Sequence, residues 1–192
     1  GTLAERSFPD KVLSAFFMSV MPRTAGFNAL DIPLLTQASL FLTLSLMLVG
    51  ANPGGTGGGM KTTTLVVILR DLYTTLRGER DSVLFKRRIS AATRNKAWST
   101  MLLSVIWINA ATMCLTVTEH DALLPMLFEV VSAFATVGLS MGYTSELSTL
   151  GQLIIIGTMY VGRVGILTMG MAIWQQRKTS AMRYPEENLM VG

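Results

Sequence analysis

The sequence predicts an all-α integral membrane protein built from repeated helix–loop–helix units, and three observations carry that prediction. Half of the 192 residues are hydrophobic and only 15% are charged, against about 25% charged for an average soluble domain. Two apolar runs, Trp98–Val117 and Leu150–Trp174, reach the length of about 20 residues that a bilayer span requires. Two shorter apolar segments, Phe8–Met21 and Leu123–Ala135, each lead into a Thr-x-Gly turn.

The elements follow in order. Phe8–Met21 is too short to span and suits a re-entrant half-helix, with Ser7, Pro9 and Asp10 as its start signal. It ends at Pro22-Arg23, and Thr24-Ala25-Gly26-Phe27 follows. After a turn-like stretch, Asn28–Pro33, a helix is expected from Leu34 to Gly50. The chain then breaks. Between Gly50 and Gly59 stand six glycines (Gly50, Gly54, Gly55, Gly57, Gly58, Gly59) and Pro53. Each interior Gly costs a helix about 1 kcal/mol relative to Ala, so this stretch is a loop that moves cheaply. A second helical piece, Thr62–Leu76, leads into a basic linker. The second half runs through the same order: the span Trp98–Val117, an outer turn at Glu119-His120-Asp121, the short segment Leu123–Ala135, the turn Thr136-Val137-Gly138-Leu139, a polar stretch Ser140–Ser148, and a last span, Leu150–Trp174.

Charge sets the topology. Eight basic residues crowd into Arg70–Lys96, and Arg177, Lys178 and Arg183 follow the last span. Between the two spans the charges are Glu119, Asp121, Glu129 and Glu146, with no Lys or Arg. The positive-inside rule therefore places the linker and the tail in the cytoplasm. Cys114 is the single cysteine and lies inside a span, which excludes a disulfide framework or thiolate metal cluster. The start, Gly1–Arg6, has no Met and no basic-then-apolar order, so the expectation is a fragment that begins within a domain and carries no signal peptide.

The two halves align without a gap. Thr24 and Thr136 differ by 136 − 24 = 112, and so do Gly26 and Gly138, Phe16 and Phe128, Leu35 and Leu147, Met47 and Met159, Gly50 and Gly162, and Gly58 and Gly170. Non-helical backbone inside a membrane is tolerated only when it is buried in protein or lines a watery cavity. The turns Thr-Ala-Gly-Phe and Thr-Val-Gly-Leu have the chemistry for such a lining: Gly opens left-handed backbone angles, Thr adds a hydroxyl, and rings of carbonyls can replace the hydration shell of a potassium ion. Arg163 lies near the middle of the last expected span, where an Arg is costly and must face protein or a cavity.

The segments Arg23–Phe27, Gly50–Thr64 (GANPGGTGGGMKTTT), Phe128–Gly138 (FEVVSAFATVG), Val161–Gly165 (VGRVG) and Arg183–Gly192 (RYPEENLMVG) resemble, in order, the membrane subunits of the Trk/Ktr/HKT potassium transporter superfamily, KtrB/NtpJ-like in type. The resemblance implies a potassium-channel-like fold of four helix–pore-loop–helix repeats. Residues 1–77 would be the partial third repeat with its Gly-rich gate loop, 78–96 the cytoplasmic linker, 97–176 the complete fourth repeat, and 177–192 the cytoplasmic tail. It implies a selectivity filter of Thr24, Ala25, Gly26 and Phe27 together with Thr136, Val137, Gly138 and Leu139, with potassium held by the backbone carbonyls of Thr24, Ala25, Thr136 and Val137. It implies a gate of Gly54, Gly55, Gly57, Gly58, Gly59, Lys61 and Arg163. Potassium, with or without sodium dependence, would be the transported ion, with no covalently bound cofactor. Further implications are a multi-pass plasma-membrane location, a homodimer among membrane lipids, and a cytoplasmic nucleotide-binding ring of the KtrA/TrkA-like kind, for which Arg80–Lys96 is one docking surface and lipid head groups the competing occupant.

Other classes fit less well. Gly54–Thr62 approaches a phosphate-binding loop, but Met60 stands between Gly59 and Lys61 and the segment follows an apolar span rather than a strand. His120, the only histidine, sits beside Glu119 and Asp121 in a solvated turn, where adjacent residues do not converge on one metal. Enzymatic and nucleic-acid-binding roles are not expected. A non-conducting membrane scaffold or receptor is the alternative, and it gives the paired Thr-x-Gly turns no purpose.

Overall fold

The computed structural model describes residues 7–55, 57–79, 81–119 and 122–174. Thr56, Arg80, His120, Asp121 and the expected tail 177–192 lie outside the described residues. The first helix, α1 (Phe8–Val20), is capped by Ser7, whose hydroxyl accepts from the Asp10 N–H at 3.4 Å and donates to the Asp10 carboxylate at 2.6 Å. A 3₁₀ turn at Ile32–Leu34 precedes α2 (Gln37–Leu48), which starts later than the expected Leu34 because Thr36 caps it by accepting from the Ser39 N–H. Helix α3 (Thr62–Leu76) follows the Gly-rich loop.

The linker is more ordered than its composition indicates. Strands β1 (Val83–Leu84) and β2 (Arg87–Arg88) pair antiparallel, Val83 opposite Arg88 and Leu84 opposite Arg87. Phe85 and Lys86 between them both take positive φ, 48° and 62°, as a two-residue hairpin turn of matching twist demands. Asp71 on α3 fastens this hairpin to the next helix. Its carboxylate accepts from Ser82 Oγ at 2.8 Å, an Arg94 guanidinium N–H at 3.0 Å and Trp98 Nε1 at 2.9 Å.

Helix α4 (Ala91–Glu119) has 29 residues and is, among the described residues, the one helix long and apolar enough to cross a membrane. It takes in 91–96, which the sequence reading assigned to the linker. Helix α5 (Leu123–Ala135) forms the centre of the fold. Met126, Phe128, Val130, Phe134 and Ala135 are all fully or nearly fully buried, enclosed by Leu40, Leu44 and Met47 of α2, Ile108 and Leu115 of α4, and Ile155 and Val161 of the next helix. Small residues let α4 approach closely: Ser104, Ala111 and Thr112 are buried along it, as is common where helices pack without a hydrophobic driving force between them.

The last expected span is not continuous. It divides into α6 (Thr149–Val164) and α7 (Ile166–Trp174) at Gly165, whose φ is +90°. Glycine reaches this conformation without a β-carbon clash, and the helix ends with the Gly165 N–H still donating to the Val161 carbonyl. Arg163 therefore stands in the last turn of α6, one residue before its end, and not at the centre of a 25-residue rod.

Candidate functional site

The two Thr-x-Gly turns adopt matching backbone. Thr24 and Thr136 have φ of 72° and 55°, and Gly26 and Gly138 have 71° and 92°. A positive φ is costly for a β-branched residue and belongs with sites where surrounding structure enforces it. Among the described residues only four non-glycines have positive φ, and these two threonines, 112 apart in sequence, are half of them. The turns also meet. A β-carbon on Gly26 would strike the Val137 carbonyl oxygen, and one on Gly138 would lie 3.7 Å from Gly26 Cα. The close approach requires glycine at position 26, whereas at position 138 it is the positive φ that favours glycine.

The surroundings of the two turns differ. Val137 and Leu139 are buried, whereas Phe27 is 69% exposed and Ala25 is exposed. The second turn hangs from α5 inside the core; the first lies at the edge of the described structure.

The Gly-rich loop closes against both turns. Its stem is pinned: Val49 pairs with Met60 in a parallel bridge, the Gly50 N–H donates to the Met60 carbonyl at 2.8 Å, and the Thr62 hydroxyl donates to the Asn52 side-chain carbonyl at 2.7 Å. Its tip lies under the threonines. A β-carbon at Gly57 would come within 2.7 Å of Thr24 Cγ2, and one at Gly58 within 2.6 Å of Thr136 Cγ2. The Gly58 N–H donates to Thr136 Oγ1 at 2.7 Å. Gly59 takes φ +70°, and a β-carbon there would lie 3.2 Å from Ala135 Cα. Gly54 and Gly55 stay exposed on the outer limb. Thus Gly57 and Gly58 meet the turns, Gly59 meets the end of α5, and Gly54 and Gly55 meet neither.

Two cations flank the loop. Lys61 Nζ donates to the Gly57 carbonyl at 2.5 Å and to the Gly55 carbonyl at 3.3 Å, tying the loop to the start of α3. Arg163 follows Gly162, whose carbonyl lies 3.0 Å from the β-carbon position of Gly58, and both residues border a cavity shared with Gly57, Gly58 and Lys61.

One polar residue was not singled out from sequence. Glu129, on α5, is 5% exposed. It accepts from Ser140 Oγ at 2.5 Å, the Met141 N–H at 3.1 Å and Thr144 Oγ1 at 2.7 Å, and so braces the polar stretch after the second turn. The signal was a lone carboxylate inside an apolar half-helix, which needs buried partners to be tolerated.

Residues 3–179 match the family described as TrkH, cation transport protein. The chain is 39% identical over 192 residues to the Ktr system potassium uptake protein B of Bacillus subtilis (strain 168), covering all of this chain and 43% of that protein. It is 39% identical over 197 residues to the potassium/sodium uptake protein NtpJ of Enterococcus hirae, covering all of this chain and 44% of that one. The crystal structure of the potassium transporter TrkH from Vibrio parahaemolyticus shares the fold, with a TM-score of 0.76 at 19% identity over 91% of this chain and 39% of that one. The chain spans less than half the length of these relatives. It belongs to the TrkH family of cation transport proteins, which are membrane transporters and not enzymes.

Proposed function

We propose that this chain supplies part of the third and all of the fourth pore-loop repeat of a potassium-translocating membrane subunit. The observation that carries the reading is the backbone contact between the Gly26 and Gly138 turns, with Gly57 and Gly58 of the Gly-rich loop directly against Thr24 and Thr136. Residues 1–77 and 97–176 are the two repeats, 78–96 the cytoplasmic linker and 177–192 the cytoplasmic tail.

Thr24-Ala25-Gly26-Phe27 and Thr136-Val137-Gly138-Leu139 act as two of four filter strands. The carbonyls of Thr24, Ala25, Thr136 and Val137 are the potassium ligands, in place of the ion's water shell. The loop through Gly54, Gly55, Gly57, Gly58 and Gly59 is the gate beneath them. Lys61 holds the gate by its carbonyls, and Arg163 adds a positive charge beside it that opposes a cation in an empty pathway. The two missing filter strands come from the remainder of a protein of the relatives' length.

The relatives named for Ktr systems and for potassium/sodium uptake support potassium as cargo, with sodium dependence as the finer question. By the same likeness the complete subunit is a multi-pass plasma-membrane protein with a cytoplasmic C-terminus. It forms a homodimer and is controlled by a cytoplasmic nucleotide-binding ring of the KtrA/TrkA-like kind. The test is ion flux through the complete protein in proteoliposomes, with Gly138→Ser as the variant. Gly138 has φ +92°, so a side chain there strains the turn. The expected result is reduced discrimination of potassium over sodium. Unchanged ion preference in a well-expressed variant would refute the filter assignment and favour a scaffold role.

A further inference from the structure

We infer that the cavity behind the Gly-rich loop is a binding site for a phosphate group, presented by an anionic lipid or by a soluble phosphate. The cavity has a volume of about 290 Å³, and its lining includes Lys61, Lys96 and Arg163, with no acidic residue among the described residues that line it. Three basic side chains around one cavity make a positive concavity, and low-dielectric walls concentrate such a field.

Backbone donors reinforce the charge. Ile166, Leu167 and Thr168 line the same cavity and open the nine-residue helix α7. The first N–H groups of a helix have no intrahelical acceptor, and these three donate to no other backbone group among the described residues. Gly165, which precedes them, has no side chain with which to cap them. Amides directed at a ligand beside basic side chains are a combination that suits phosphate oxygens.

Lys96 is the residue free to respond to a ligand. Lys61 already donates to two loop carbonyls, whereas the Lys96 ammonium is exposed and makes no hydrogen bond or ion pair among the described residues. It stands five residues into α4, about 7.5 Å along the helix from Ala91 at 1.5 Å per residue. On the topology proposed above, this end of the membrane-crossing helix faces the inner leaflet. A bound phosphate would also offset the charges of Lys61 and Arg163 beside the loop. This last consequence rests on the gate reading, whereas the binding itself does not.

The experiment uses the complete transporter, purified in detergent, with two probes. Phosphatidylglycerol retention is measured by native mass spectrometry against phosphatidylcholine. Stabilisation by inorganic phosphate is measured as a thermal shift against chloride of equal ionic strength. Lys96→Gln should weaken the effective probe about fivefold, the weight of one basic residue near a charged surface. Lys96→Arg should restore it, and Thr168→Glu should remove it. Lys86→Gln, on the exposed hairpin, should leave it unchanged. A response to the lipid alone identifies a head group as the source, and a response to inorganic phosphate alone identifies a soluble ligand; either sustains the site. The inference is overturned if neither probe acts beyond its control, or if Lys96→Gln and Lys86→Gln behave alike. Because the readout is binding and not flux, it stands or falls separately from the Gly138→Ser test.

Discussion

Replacing Gly162 by Ala should destabilise the protein, while the same change at Gly157, five residues earlier on the same helix, should not. Both sit in α6, so both gain about 1 kcal/mol of helix propensity from the added methyl. Their surroundings separate them. A β-carbon at Gly157 meets nothing within 4 Å. One at Gly162 would overlap the Phe134 carbonyl oxygen and lie 2.7 Å from Phe134 C and 3.0 Å from Phe134 Cα. Carbon atoms rest at about 3.5–4.0 Å, so α6 must retreat from α5 by roughly 1 Å. The obstacle is backbone in the most buried helix and cannot swing aside as a side chain would. Overpacking of this kind costs about 1–3 kcal/mol, and the upper end applies. Gly162→Ala is then worse than wild type by about 2 kcal/mol, and about 3 kcal/mol separates the two variants. Heating the complete transporter in detergent and following the folded peak by size-exclusion fluorescence measures the order. Equal melting temperatures for the two variants, or a Gly162→Ala protein as stable as wild type, would refute the close approach of α6 to α5.

Two further perturbations test separate parts of the molecule. Thr136→Val removes the acceptor of the buried Gly58 N–H and leaves that donor unpaired, a cost of about 1–3 kcal/mol; the loop should show faster backbone hydrogen exchange, and unchanged protection at Gly57–Gly59 would count against the tie. Asp71→Ala deletes an acceptor shared by Ser82, Arg94 and Trp98, with hydrogen bonds to charged groups worth about 1.5–3 kcal/mol each; limited proteolysis should then cut within 81–90 well before any other described segment, and an unaltered cleavage pattern would show that the hairpin is held by other means.

Much of the architecture was legible because hydrophobic length and glycine placement are properties of composition. The short helix Leu123–Ala135 has the bounds expected from its apolar run, and the loop after Gly50 follows from six glycines whose summed cost disfavours a helix. What escaped was set by single dihedral angles and by partners distant in sequence. Gly165 lies in an apolar run that hydropathy reads as one span, and only its φ of +90° reveals the break into α6 and α7. Phe85 and Lys86 adopt left-handed angles usually left to Asn and Gly, so the hairpin carried no turn signature. The loop glycines carry no signal that separates them in sequence, yet Gly57 and Gly58 are buried against threonines while Gly54 and Gly55 are exposed. Glu129 was visible as a charge, but its three partners lie 11 to 15 residues downstream, beyond any local pattern.

The hydrogen bond from Gly58 to the Thr136 hydroxyl makes the loop and the turn above it thermodynamic partners. Moving the loop away strips Thr136 of a donor, and rotating Thr136 strips the loop of an acceptor. Coupling of this sort is reciprocal: an occupant of the turn that favours one position of the hydroxyl must bias the loop by the same factor with which the loop biases the occupant. One such bond, at about 1 kcal/mol, corresponds to a factor of roughly five in either direction. On the proposed filter reading, an ion held at the turn is therefore also an effector of the loop, and the loop an effector of the ion.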